Sequence, residues 1–170
     1  MALLILSVIG SDRPGLTQAI ASAVLSAGGN WLESHLSQLG GLYVGSVLVE
    51  AGDADALRAA VSAVDAQGLD VRIAPAVETT GPEGQAVAFS LVGQDQPGIV
   101  HQVTAVLAGL NANIEAFETR MSVEPYSGAP LFHLDARLRL PPALDAEAVK
   151  AALETISAEI MVDISLTPAE

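Results

Sequence analysis

One stretch of this chain occurs twice. Gly10-Ser11-Asp12-Arg13-Pro14-Gly15-Leu16 returns as Gly93-Gln94-Asp95-Gln96-Pro97-Gly98-Ile99, an offset of 83 residues (10 to 93). The same offset carries Leu16, Ile20, Ala23, Val24 and Ala27 onto Ile99, Val103, Val106, Leu107 and Leu110. Both sets follow i, i+4, i+7, i+8, i+11, the apolar stripe of one amphipathic helix face. Asn30 lands on Asn113. A second pair of stripes, Leu57/Ala60/Val61/Val64 and Val149/Ala152/Leu153/Ile156, matches at an offset of 92 (57 to 149). A matched motif and matched stripes in one order mark an internal duplication, which constrains the fold before any other feature.

The change of offset places an insertion. The first copy turns on Leu39-Gly40-Gly41-Leu42, and paired glycines suit a two-residue hairpin because positive φ costs them little. The second copy has the longer Ser122-Val123-Glu124-Pro125-Tyr126-Ser127-Gly128-Ala129-Pro130 at that point. Each copy then reads strand, helix, strand, strand, helix, strand. The ranges predicted are 2–9, 14–27, 30–39, 42–50, 53–67 and 69–76 in the first copy, and 85–92, 97–110, 113–121, 131–140, 144–157 and 159–166 in the second. This is the split βαβ pattern, so the expected class is α+β: two tandem ferredoxin-like βαββαβ domains, each an antiparallel sheet with its helices on one face. The breaker cluster Thr79-Thr80-Gly81-Pro82-Glu83-Gly84 divides them into a domain over 1–79, a linker over 80–84 and a domain over 85–170. The opening strand Ala2-Leu3-Leu4-Ile5-Leu6-Ser7-Val8-Ile9 is apolar at both parities. A sheet with one covered face should alternate, so the second face is expected to be covered too, by the sister domain or by another chain.

Composition narrows the function. The chain carries 20 acidic against 7 basic residues, a net charge of −13. Phosphate backbones would be repelled, so direct nucleic-acid binding is not expected, and a protein partner or a small zwitterion fits better. There are no cysteines, which removes disulfides and thiolate chemistry. The apolar N-terminus lacks a basic region and a cleavage site, and no apolar run reaches the ~20 residues that span a bilayer. The expected location is the cytoplasm, with no membrane contact. No nucleophile–base arrangement, Walker loop or dinucleotide loop is present. His35, His101 and His133 lack metal-ligand spacing. A non-enzymatic protein is expected, with no catalytic residues, no cofactor and no metal. Glu33, Glu115 and Glu118 read as charges that blunt an edge strand, and Trp31 as either core or ligand-facing.

The repeated Gly-x-Asp-x-Pro-Gly loop carries the chemistry. Pro14 and Pro97 fit a first helical turn, and Gly15 and Gly98 allow close approach to the backbone. The N–H groups of that turn suit a carboxylate, while Asp12 and Asp95 could cap the turn or attract an ammonium group. The same sequence is also a sound helix cap that needs no ligand. Arg13 in the first copy is replaced by Gln96 in the second, so the two loops need not bind alike.

At these residues the chain resembles the ACT domain family, small ferredoxin-like modules that bind amino acids at domain interfaces and regulate other proteins. Asp12-Arg13-Pro14-Gly15-Leu16, Gly28-Gly29-Asn30-Trp31-Leu32-Glu33-Ser34 and Leu39-Gly40-Gly41 look like the first half of glycine cleavage system transcriptional repressors. Asn113-Ile114-Glu115, Glu118-Thr119-Arg120 and Ser127-Gly128-Ala129-Pro130-Leu131-Phe132 look like the second half. The resemblance implies a sensor of a small amino acid, glycine being plausible, that acts by contact with a transcription regulator, and a homo-oligomer is expected. It implies ligand roles for Asp12, Arg13, Pro14, Gly15, Leu16 and Asn30, and for Asp95, Pro97, Gly98, Ile99 and Asn113, with strand two of one module meeting the loop of another. The alternative is a regulatory subunit of an amino-acid biosynthetic enzyme, of the acetohydroxyacid synthase small-subunit type.

Overall fold

Amphipathic stripes need a sheet to cover, and each copy supplies one. In the computed structural model, which describes residues 1–66, 68–77, 81 and 83–169, the chain divides into two compact units, Met1–Thr79 and Thr80–Glu170. The first holds β1 (Ala2–Ser11), α1 (Leu16–Ser26), β2 (Asn30–Leu39), β3 (Leu42–Ala51), α2 (Ala54–Asp65) and β4 (Leu69–Pro75). The second holds β5 (Gln85–Gln94), α3 (Ile99–Gly109), β6 (Asn113–Val123), β7 (Pro130–Leu140), α4 (Ala146–Ile160) and β8 (Val162–Pro168). Thr79, Thr80 and Pro82 of the expected linker, and Gln67 at the expected end of the second helix, lie outside the described residues.

Both sheets have four antiparallel strands in matching orders, β2-β3-β1-β4 and β6-β7-β5-β8. The duplication seen in sequence is thus a duplication of the whole βαββαβ topology. In the first unit Leu4, Leu6 and Val8 of β1 pack under Leu16, Ile20 and Val24 of α1 and Leu57, Val61 and Val64 of α2. In the second, Val87, Phe89 and Leu91 pack with Ile99, Val103 and Leu107 of α3 and Val149 and Leu153 of α4. The predicted helical stripes are therefore the core faces.

Several element ends differ from the sequence reading. β1 and β5 run on to Ser11 and Gln94, because the backbone keeps pairing through Gly10 and Gly93. At Gly10 a Cβ would sit 2.7 Å from the Gly68 carbonyl oxygen, and at Gly93 it would sit 2.6 Å from that of Met161. These glycines let β4 and β8 pass closely. Helix α4 extends to Ile160, where a strand was expected from 159, because Ile160 continues the buried stripe and Met161 in the left-handed conformation ends the helix. Within its own unit β1 is buried on one face, and Ile5 and Ile9 on the face away from the helices stay 38% and 47% exposed.

The turns follow the predicted asymmetry. Gly40 and Gly41, both at positive φ, join paired Leu39 and Leu42 in a two-residue hairpin. The β6–β7 loop instead closes on itself: the Glu124 N–H donates to the Ala129 carbonyl (2.9 Å), and the Ser127 hydroxyl donates to the Glu124 carboxylate.

Candidate ligand-binding loops

The loops after β1 and β5 differ from the starts of the other helices. Asp53 caps α2 through its carboxylate, which accepts from the N–H groups of Asp55 and Ala56 at 2.9 and 3.0 Å. Asp145 caps α4 by accepting from the Ala148 N–H at 2.8 Å. No side chain caps α1 or α3. Their N-cap residues are Gly15 and Gly98, both left-handed at φ 93° and 96°. The suggestion that Asp12 and Asp95 cap these helices is therefore corrected. Pro14 and Pro97 also stand ahead of the N-cap and outside the first turn, because the left-handed glycine starts each helix two residues later than predicted.

What remains is an uncapped helix start with room in front of it. Nothing lies within 4 Å of a Cβ placed on Gly15, and only the Gln102 side-chain amide, at 3.8 Å, approaches one on Gly98. Leu16 and Ile99 are buried and anchor each loop to its core. First-turn N–H groups of this kind carry partial positive charge and suit an anion. The Asp12 carboxylate sits beside the loop, held by a hydrogen bond from Gln38 Nε2 at 2.9 Å. The backbone N–H of Asp95 donates to the Pro130 carbonyl at 3.1 Å.

Asn30 does not join its own loop. It pairs with Glu50 and lies at the Leu3 end of the sheet, whereas the loop leaves from Ser11 at the other end, paired with Leu42. Asn113, paired with Arg139, is placed likewise relative to Asp95.

The walls of the two loops differ in chemistry. In the first, the Thr17 hydroxyl and the Tyr43 hydroxyl share a hydrogen bond of 2.8 Å. In the second, Val100 takes the place of Thr17, and Phe132, paired with Gly93 as Tyr43 is with Gly10, takes the place of Tyr43. Gln38, paired with Tyr43, corresponds to Met121, paired with Phe132. A hollow of about 400 Å³ at the second loop is lined by Asp95, Gln96, Gly98, Ile99, His101 and Phe132. Gln96 Nε2 donates to the Ile160 carbonyl at 2.7 Å, tying this loop to the end of α4. Arg13 in the first loop is exposed. Sequence reading passed over Thr17, Gln38, Tyr43 and Phe132. The offset of 83 already set Thr17 against Val100, but the strand partners needed the register.

The remaining residues have local explanations. Trp31 packs against the first core. The Glu33 carboxylate lies 3.1 Å from His35 Nε2, and His133 Nε2 lies 2.7 Å from the Ser122 hydroxyl. Glu115, exposed at a bulge in the edge strand β6, is also paired with two arginines. Arg139 donates to it at 2.8 and 3.2 Å, and Arg137 approaches to 3.3 Å. The hydrogen bond from Arg139 is the main reason its carboxyl is held below the usual range. Partial desolvation opposes that shift, and the positive charges of Arg139 and Arg137 reinforce it. Among the described residues no group of three or more His, Asp or Glu is gathered for a metal, and no helix is long and apolar enough to cross a membrane.

Two βαββαβ units, each with a glycine at the N-cap after its first strand, make a tandem ferredoxin-like architecture. Residues 2–74 match the model of the ACT domain family. Over 162 residues the chain is 23% identical to the glycine cleavage system transcriptional repressor of Escherichia coli (strain K12), covering 92% of this chain and 85% of that protein. Among solved structures, an unknown protein from Galdieria sulphuraria shares 31% identity and superposes with a TM-score of 0.88 over 99% of both chains. A protein assigned as a glycine cleavage system transcriptional repressor has the same fold, with a TM-score of 0.70 at 15% identity over 99% of this chain and 98% of that one.

Proposed function

We propose that this chain is a non-enzymatic cytoplasmic regulator that senses a small amino acid at its two loops and passes the signal by contact with a transcription regulator. One observation carries the reading. α1 and α3 begin at left-handed glycines with no side-chain cap, while α2 and α4 of the same units carry aspartate caps. A duplication that preserves an uncapped start twice, beside aspartates that can face an ammonium group, fits a zwitterion better than a structural cap. Glycine is the first candidate, by resemblance to the repressors. Asn30 and Asn113 contribute where strand two of one module meets the loop of another copy of the module. The net charge of −13 supports a mode that leaves nucleic acid to the partner.

The test is thermal unfolding against the twenty amino acids. A ligand that binds only the folded state stabilises it by mass action, about 2.7 kcal/mol at a hundredfold excess over Kd. At least one amino acid is expected to raise Tm, and Asp12→Ala and Asn30→Ala are expected to reduce that response more than Glu33→Ala. No response at millimolar concentrations would sink the sensor reading. Capture of a thiamine-dependent synthase instead of a transcription regulator would turn it toward an enzyme's regulatory subunit.

A further inference from the structure

The open faces of the two sheets, away from the helices, carry different charges at matched positions. On the second sheet the register aligns Arg120, His133, Val92 and Asp163 across β6, β7, β5 and β8. The next row is Glu118, Asp135, Ser90 and Ser165. A hollow of about 280 Å³ lies over these rows, lined by Arg120, His133, Asp135, Asp163, Ser90 and Ser165. Two of its groups are oriented by neighbours: Asp135 accepts from the Ser90 hydroxyl at 2.8 Å, and His133 is held to Ser122. Its outer charges are not. Among the described residues neither Arg120 nor Asp163 has an ion pair or side-chain hydrogen bond.

The first unit is a built-in control. Its matching row is Ser37, Val44, Ile9 and Asp70, followed by His35, Ser46, Ser7 and Arg72. There the anion has a cation beside it on the same strand, Arg72 Nε lying 3.8 Å from Asp70. In the second unit the cation has moved to the far edge strand. Three inter-strand steps, about 14 Å between Cα atoms, separate Arg120 from Asp163. Opposite charges that flank a hollow without meeting are complementary to a molecule bearing both.

We propose that this face binds a small zwitterion, its carboxylate at Arg120 and His133 and its ammonium group at Asp163 across the hollow. Guanidinium is suited to the carboxylate because it donates two parallel hydrogen bonds. The two serines supply further donors and acceptors. The site belongs to the second unit alone and does not depend on the loops. An open face leaves each charge contact well hydrated, so affinity is expected on the order of millimolar.

The test is titration of the isotope-labelled full chain, followed by backbone amide NMR. The probes are glycine, β-alanine, 4-aminobutyrate and 6-aminohexanoate, a series that lengthens the distance between the charges. At least one is expected to shift the amides of Arg120, His133 and Asp163. Arg120→Ala and Asp163→Asn should each weaken that binding about threefold to fivefold, whereas Arg72→Ala on the first sheet should not. Both altered side chains are exposed, so the variants should fold, and the unshifted core amides verify it. The proposal is overturned if no probe moves these amides or if the two substitutions leave binding unchanged. It is equally overturned if acetate or methylammonium alone gives the same shifts. Shifts that follow protein concentration without any probe would make the face a protein interface and overturn it as well.

Discussion

Two glycines of the repeated motif do different work, and substitution can separate them. Gly10 is required by packing, since an alanine Cβ there would strike the Gly68 carbonyl oxygen at 2.7 Å. Gly10→Ala is expected to destabilise by about 1–3 kcal/mol, the usual range for forced overpacking, while the remaining folded protein keeps its ligand response. Gly15 has open space but a φ of 93°. Gly15→Ala should cost about 1–3 kcal/mol of backbone strain and also abolish the response of the first loop. Calorimetric unfolding with and without ligand reads both. A motif match shows that glycine stands at each position. Only the neighbouring strand and the dihedral angle show which glycine serves the fold and which keeps the loop open. Glu115 supplies a further residue-scale test. Its folded-state pKa lies below the ordinary carboxylate value, so its contribution is fully present above that value and is lost as pH falls through the lowered folded pKa. Tm of the wild type should therefore exceed that of Glu115→Gln near neutrality, and the gap should close in acid. A gap unchanged by acid would mean the ion pairs with Arg139 and Arg137 add nothing.

Among the elements, the helices were the most legible in the sequence, because their apolar stripes repeat at a constant offset and every stripe faces a core. The loop walls were less so. Tyr43 and Phe132 lie 89 residues apart and Gln38 and Met121 lie 83 apart, so no single offset pairs them and the strand register is needed. That register leads to a prediction about selectivity. The Thr17–Tyr43 hydroxyl pair makes a polar wall, and Val100 with Phe132 makes an apolar one. A hydroxyl left without a partner costs more than a lost apolar contact, so each wall disfavours the other's ligands. Val100→Thr combined with Phe132→Tyr is expected to shift the second loop toward serine-like ligands and away from aliphatic side chains. Calorimetric titration with serine and valine measures it, and an unchanged ratio would show that these walls do not face the ligand. The tether at Gln96 has its own signature. Gln96→Ala removes a hydrogen bond to the last turn of α4, so a loss of about 0.5–1.5 kcal/mol is expected. Faster amide exchange around Ile160 should accompany it.

For the whole molecule, the doubly apolar opening strand has an explanation still to be tested. Ile5 and Ile9 lie on the open face of the first sheet, where Leu48 and Val44 pair beside them. The corresponding face of the second sheet carries Asp135, Arg137 and Arg139 on β7. The first face thus carries two partly exposed aliphatic rows, Ile5 with Leu48 and Ile9 with Val44, divided by Ser7 and Ser46, where β7 of the second carries charges, and exposed aliphatic surface of this kind is suited to an interaction site. We expect the chain to self-associate through the first face, in keeping with the homo-oligomer expected from the sequence. A twofold arrangement would set the same Ile5 patch against itself. Ile5→Glu would then place two carboxylates opposite each other in an apolar contact, so a single substitution should suffice to split the oligomer. Arg137→Glu on the second face should leave the mass unchanged. Light scattering coupled to size exclusion reads the mass of each variant. Monomeric wild-type protein at tens of micromolar would show that the apolar parity of β1 serves some other contact, with the partner regulator as the next surface to test against Ile5→Glu.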